Sequence, residues 1–337
     1  MASKSSRLSL LVVLVLIAVA FPSFATAAAH TRIAVIYDGG GRGDGSINDA
    51  SASGVDAAKV KFHLSALDLR EMVTDGSESD RESRLRFLAK AGYGLIITIG
   101  GTFAPALKIV GQEFPSTQFA IVNDQTVPLL NVTSVVFSDS EGAFLAGIVA
   151  GLSTKTGKVG FINGSFSEFS PNVAKAFVRG VHFGKSSVSV IIRNPQFSPV
   201  ADVTELRSRG VDLIYSVWNT TAEVVRAITM PTGKSIKVRL IGQAPEQFFL
   251  NSVAAKKILL ATVTKKLDVA VIELISLALV GETMTDILDA KNGVYGHRYS
   301  IADRGIEISV KGLPIAVQNK ISAAKSAIIS GKLRISA

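Results

Sequence analysis

Ile33-Ala34-Val35-Ile36-Tyr37-Asp38 is an apolar run that ends in an acid and opens onto Gly39-Gly40-Gly41. Val159-Gly160-Phe161-Ile162-Asn163-Gly164 repeats that pattern in the second half of the chain. Short β-branched runs closed by a polar, glycine-containing turn are the mark of buried parallel strands that feed a helix. Two further pairs follow at similar spacing. Gly92-Tyr93-Gly94-Leu95-Ile96-Ile97 is matched by Gly210-Val211-Asp212-Leu213-Ile214-Tyr215, and Gln118-Phe119-Ala120-Ile121-Val122 by Lys237-Val238-Arg239-Leu240-Ile241. Three matched strands per half predict a doubled α/β architecture of two similar lobes.

Between these runs the apolar residues fall at helical spacing. Leu85, Leu88 and Ala89 mark a helix from Asp80 to Lys90, and Val203 and Leu206 mark one from Asp202 to Arg209. Glu141 to Leu152 is apolar almost all round, and its Gly142, Gly147 and Gly151 predict a buried helix that another element approaches closely. A strand around Ile306–Ile308 and a helix from Ile315 to Ser330, just behind Pro314, close the chain.

With 47% hydrophobic residues, 19% charged residues and no cysteine among 337, the chain is neither a disordered polymer nor a disulfide-built miniprotein. Lysine and arginine number 36 against 27 acids, for a formal charge of +9. The excess is scattered in pairs such as Lys256-Lys257 and Lys265-Lys266, with one Trp and five Tyr available to stack on bases. Nucleic acid is therefore not the expected partner.

Lys4 and Arg7 precede an unbroken apolar run from Leu10 to Phe21, followed by Pro22 and the small residues Ala25-Thr26-Ala27-Ala28-Ala29. That order is a secretory signal, with cleavage expected after Ala27 or Ala29 and an uncleaved membrane anchor as the alternative. An exported, extracytoplasmic protein is expected. Without cysteine it carries no lipidated N-terminal cysteine and no thiolate metal site.

Ligands of open parallel sheets gather beyond the carboxyl ends of the strands, so two facing lobes direct attention to a few loops. They are Asp38 to Asn48, Gly100 to Phe103, Asn123 to Thr126, Asn163 to Phe169, Trp218 to Thr221 and Gln243 to Gln247. The glycine run 39–45 does not accommodate Gly-x-Gly-x-x-Gly, because the last position falls on Asp44, Ser46 or Asn48. Gly157-Lys158 lacks the Ser or Thr of a phosphate loop and precedes a strand. His30, His63, His182 and His297 lack a His or Glu partner at metal-binding spacing, and no Gly-x-Ser-x-Gly elbow occurs. No cofactor or metal is expected. Asp38, Asp44, Asp49, Asp124, Glu168 and Glu246 are the carboxylates of the cleft loops. They read as an acid/base pair or, as readily, as ligand acceptors and helix caps.

Asp38 to Asn48, Leu95 to Lys108, and above all Glu141-Gly142-Ala143-Phe144-Leu145-Ala146-Gly147 with Thr154-Lys155-Thr156-Gly157-Lys158-Val159-Gly160-Phe161 resemble one family. The chain is similar, from about Ile33 to Ile308, to the basic membrane proteins, the PnrA-like substrate-binding proteins of ABC transporters. The resemblance implies a type I periplasmic-binding-protein fold, with two Rossmann-like lobes of parallel strands joined by a three-strand hinge. It also implies a non-enzymatic role: a small solute, a purine nucleoside in characterised relatives, is bound in the cleft and passed to a membrane permease.

Carried over by position, Asp38, Ser46 and Asn48 match the family's acid and its Ser-Phe-Asn turn, and Lys265 or Lys266 its basic position after a hinge crossing. Asn123, or Asp124 beside it, matches the acid that follows the third matched strand. Three positions depart from the pattern. Ile47 stands where the family stacks an aromatic on the base. Ala244, in Ala244-Pro245-Glu246-Gln247, replaces the acid at the sugar hydroxyls, with Glu246 as a candidate substitute. Trp218, in Trp218-Asn219-Thr220-Thr221, replaces a glycine-rich turn, where it either stacks on the solute or fills the core. These departures keep open a divergent receptor module with a non-nucleoside or protein ligand, and the converging acids keep open a secreted hydrolase. The expected division is a signal at 1–29, a first lobe of 30–137 plus 264–295, and a second of 138–263 plus 296–337.

Overall fold

Strand and helix alternate from the first described residue. The computed structural model describes residues 31–163, 170–194, 199–217, 221–230, 236–245 and 252–335; the expected export signal, Glu168, Trp218 and Glu246 lie outside them. The first half contains β1 (Ile33–Tyr37), α1 (Ile47–Phe62), β2 (Leu69–Val73), α2 (Glu78–Lys90), β3 (Leu95–Ile99), α3 (Ala104–Glu113), β4 (Gln118–Val122) and β5 (Val132–Phe137). The second contains α4 (Asp139–Ser153), β6 (Lys158–Ile162), α5 (Ser170–Gly184), β7 (Ser189–Arg193), α6 (Pro199–Ser208), β8 (Leu213–Ser216), α7 (Thr221–Thr229), β9 (Arg239–Ala244), α8 (Val253–Ile258) and β10 (Leu259–Lys265). The chain then returns through α9 (Leu267–Leu279), β11 (Asp286–Asp289) and β12 (Val294–Tyr299), and ends with β13 (Ile306–Val310) and α10 (Ile315–Ile329).

Two sheets result, ordered β11-β12-β5-β4-β3-β1-β2 and β13-β10-β9-β8-β6-β7. Among the described strands, only β11 and β13 run antiparallel to their neighbours. The three strand pairs matched by sequence, β1 with β6, β3 with β8 and β4 with β9, occupy equivalent places in the two sheets. Two α/β lobes are therefore built on one pattern. A single apolar core reaches from Ile33 and Val35 through Phe144 and Phe161 to Ile321, and a smaller apolar layer backs each sheet.

The buried helix α4 lies directly on α5. A methyl group on Gly147 would stand 2.2 Å from the Phe177 carbonyl oxygen, and one on Gly180 would stand 2.0 Å from that of Phe144. The two backbones touch where side chains would ordinarily separate them, which is why this apolar helix carries glycines.

The chain crosses between sheets after Phe137, after Lys265 and after Tyr299. Limits at 263/264 and 295/296 fall inside β10 and β12. Lys265 is paired with Ile306 in the second sheet and Tyr299 with Phe137 in the first, so neither strand can be divided there. The crossings are tied to one another. Ser138 N–H donates to Tyr299 O at 2.7 Å, Lys266 N–H to Gly305 O at 2.9 Å, and Ile301 N–H to Glu141 Oε2 at 2.8 Å. Phe137 and Tyr299 stack with ring centres 5.7 Å apart, and the Tyr299 hydroxyl donates to Glu273. Burial and the Glu273 carboxylate push the Tyr299 phenol well above its ordinary range, and burial raises the Glu141 carboxyl.

Candidate functional site

The loop between β1 and α1 is shaped by glycines and fastened by acids. Gly40, Gly41, Gly43 and Gly45 have φ of 100°, 55°, 93° and 66°, a region that side chains rarely adopt. Asp49 accepts from Gly43 and Gly45 N–H, and Asp44 accepts from Ser46 N–H, the Ser46 hydroxyl and the Asn48 amide. Arg42 grips Asp56 with two nitrogens at 2.8 Å each and also reaches Glu71. Ser46 and Asn48 thus spend donors inside the loop. Asn48 is 3% exposed, and its Oδ1 has no hydrogen-bond partner among the described residues, so the amide keeps a buried acceptor. Ile47 points toward Gly100, where a methyl group would lie 3.2 Å from Ile47 Cδ1.

Asp38 closes β1 and is surrounded by donors. Arg81 donates Nε to Oδ1 at 3.0 Å and Nη2 to Oδ2 at 2.8 Å, and the Thr74 and Thr102 hydroxyls each donate at 2.7 Å. Burial alone would raise the pKa of this carboxyl; Arg81, Thr102 and Thr74 outweigh it and bring the group to about 2. It is an anion whose charge is already answered.

At the carboxyl ends of β4 and β10 the two lobes meet through Lys265, whose side chain is 1% exposed. Its Nζ donates to Asn123 Oδ1 at 3.0 Å and lies 3.2 Å from Asp139 Oδ1, which also accepts from Gln243 at 2.9 Å. Asn123 adopts φ 70°, turning the chain at the end of β4. Asp124 folds back onto Thr126, accepting from its N–H and hydroxyl, and its other oxygen would lie 2.8 Å from a methyl group on Gly101. Ala244 ends β9 just before the cis Ala244–Pro245 bond and packs on the apolar layer behind the second sheet.

Asp38, Ser46, Ile47 and Asn48 therefore cluster at one end of the first sheet, and Asn123, Asp124 and Lys265 gather at the junction of the lobes. Sequence reasoning placed Thr102 and Gln243 in candidate loops without giving them a role, and missed Arg81, Thr74 and Asp139. Asp139 lies just before the Glu141–Gly147 segment that it singled out. Nothing local marks Arg81, which is 43 residues from its partner.

Comparison with known proteins accords with this geometry. The model of the Bmp family, described as ABC transporter substrate-binding protein PnrA-like, matches residues 30–298. The ABC transporter nucleoside-binding protein BmpA of Lactococcus lactis subsp. cremoris is 25% identical over 324 residues, covering 90% of this chain and 88% of that protein. The crystal structure of an ABC transporter solute-binding protein from Aeropyrum pernix superimposes with a TM-score of 0.67 at 21% identity, over 90% of this chain and 92% of that one. A transcriptional activator of the comK gene from Bacillus halodurans gives 0.69 at 20% identity, over 90% and 99%. At such identities the solved structures speak for the fold: a type I periplasmic-binding-protein architecture. The chain belongs to the Bmp family of PnrA-like ABC transporter substrate-binding proteins.

Proposed function

We propose that this protein is the exported receptor of an ABC importer, that it takes a nucleoside-like solute into the cleft between its lobes, and that it hands the solute unchanged to a membrane permease. The observation that carries the reading is the bond from Lys265 of the second lobe to Asn123 of the first, at the carboxyl ends of both sheets. A solute seated there touches both lobes at once. Contacts made only when the lobes approach favour the closed state by that difference in affinity. The unpartnered Asn48 Oδ1 is suited to a ring or amino N–H of a base. The 25% identity to a nucleoside-binding protein supports the solute class.

Calorimetric titration with inosine, guanosine, adenosine, cytidine and uridine tests the reading, with glucose and leucine as controls. Saturable binding of at least one nucleoside and of neither control is expected. A control that binds while every nucleoside fails would reject the nucleoside and leave the receptor role. A second reading, a non-nucleoside solute, is favoured by Ile47 at the stacking position and by the commitment of Asp38 to Arg81. The same titration separates the two.

A further inference from the structure

Arg298 lies on β12, one residue before the third crossing, opposite Val136 of β5. It is half-buried. Its Nη2 donates to Gln125 Oε1 at 2.6 Å, the one hydrogen bond it makes among the described residues. No described carboxylate stands at ion-pair distance from it. Asp139 attracts it from further off, but that carboxylate is already engaged by Lys265 and Gln243. Burial lowers the pKa of the guanidinium, and Asp139 only partly offsets this.

Arg42, Arg81, Arg86 and Arg193 each hold a carboxylate at hydrogen-bond distance. Arg207, which like Arg298 has no described carboxylate at that distance, donates instead to the backbone carbonyls of Ala227 and Ile228. Arg298 has a neutral amide oxygen, and among the described residues most of its planar fork of donors is uncommitted. A half-buried cation without a counter-charge is costly, and a guanidinium matches carboxylate and phosphate geometry in two-pronged fashion.

Its position ties this to the solute. Gln125 belongs to the loop that carries Asn123 and Asp124, and Asp139 opens the helix after the first crossing, so Arg298 stands at the hinge end of the cleft. We propose that Arg298 is a specificity-determining residue that pairs with an anionic group, carboxylate or phosphate, on the transported solute. The proposal rests on the solute-binding reading of the cleft and adds the charge of the solute. A neutral solute leaves the guanidinium unanswered when the lobes close. An anionic one completes a set in which Lys265 and Arg298 face Asp139 and the incoming charge.

Titration of inosine and inosine 5′-monophosphate into the wild type, Arg298→Gln and Arg298→Lys tests this in a buffer free of phosphate and carboxylate. The monophosphate is expected to bind the wild type at least tenfold more tightly than inosine, with the ratio falling close to one in Arg298→Gln. Arg298→Lys keeps the charge without the fork and retains part of the preference. Inosine binding as tightly as the monophosphate to the wild type would overturn the proposal.

Should neither inosine nor its monophosphate bind, the nucleoside reading fails and the anion is judged alone, by thermal shift with inorganic phosphate and with succinate. A rise in Tm with either anion in the wild type, lost in Arg298→Gln and partly kept in Arg298→Lys, supports the site. The anion that acts distinguishes phosphate from carboxylate. No rise with either anion in the wild type, or an equal rise in all three proteins, sinks it.

Discussion

Arg81 holds both oxygens of Asp38, Nε to Oδ1 at 3.0 Å and Nη2 to Oδ2 at 2.8 Å, with side chains only 11% and 19% exposed. This pair joins the end of β1 to the first turn of α2, and the Thr102 hydroxyl adds the turn after β3. Breaking a largely buried, two-pronged ion pair by removing one partner leaves the other charge unanswered. Arg81→Leu is expected to destabilise the protein by about 2–3 kcal/mol in urea unfolding at neutral pH. Asp38→Asn is expected to cost less, because the amide oxygen still accepts. A large loss of solute affinity in Asp38→Asn with unchanged stability would show instead that Asp38 grips the solute directly.

The same pair sets an acid limit. The Asp38 carboxyl is held at about 2 in the folded chain, below the roughly 3.9 of an unfolded aspartate. A depressed folded pKa gives stability that is fully present above the unfolded value and lost as pH falls through the folded one. The contribution of Asp38 is therefore expected to fade between about pH 4 and pH 2. Urea midpoints of the wild type and Asp38→Asn should differ at pH 6 and converge toward pH 2. A difference that persists unchanged at low pH would remove the charge from the explanation.

The legible part of the fold was the part that is buried on both faces. β1, β3 and β8 are buried at every position and are apolar but for Thr98 and Ser216, because no face of them meets water. β2 and β7, at the sheet edges, are partly exposed and mix charged with apolar residues, so Leu69-Arg70-Glu71-Met72-Val73 carries no comparable signal. The site was legible by position but not by state. The end of β1 directs attention to Asp38, yet the partner that cancels its charge arrives from α2 through tertiary packing. Asn48, read as the last residue of the loop, is the second residue of α1, and the use of its donor on Asp44 depends on a backbone shaped by four glycines.

The contact between α4 and α5 yields a prediction on stability. Gly147→Ala places a methyl group 2.2 Å from a backbone oxygen that cannot swing aside, so the helices must move apart. A cost of about 3 kcal/mol, at the upper end for overpacking, is expected. Gly157→Ala is the control. It has open space around it and a φ of +73°, so only the left-handed backbone is penalised, at about 1 kcal/mol. Equal losses in thermal unfolding would mean that the helix approach is softer than it looks.

Lys265 makes a prediction about closure. Its Nζ reaches Asn123 in the first lobe from the end of a second-lobe strand, with the side chain almost wholly buried. Lys265→Met keeps much of the bulk and removes the charge, leaving Asn123 and Asp139 short of a donor at a cost of about 2–3 kcal/mol. Loss of the cross-lobe bond is also expected to enlarge the ligand-free protein in small-angle scattering. An unchanged radius of gyration together with a lower Tm would assign Lys265 to stability alone.

Ile47 supplies the sharpest test of the solute. An aliphatic side chain offers a base packing area but no π face, and base–aromatic stacking contributes about 1–3 kcal/mol. Ile47 already approaches Gly100 so closely that a methyl group there would lie 3.2 Å from it, so a larger ring at 47 must turn away from β3. If that turn carries it over a nucleoside base, Ile47→Phe should tighten inosine binding about tenfold and leave glucose unaffected. The gain should be similar for inosine and guanosine, because every base has a π face, and smaller for the pyrimidine nucleosides, whose rings overlap less. An affinity for inosine unchanged or weakened in a folded Ile47→Phe would place the base, if one binds, away from α1.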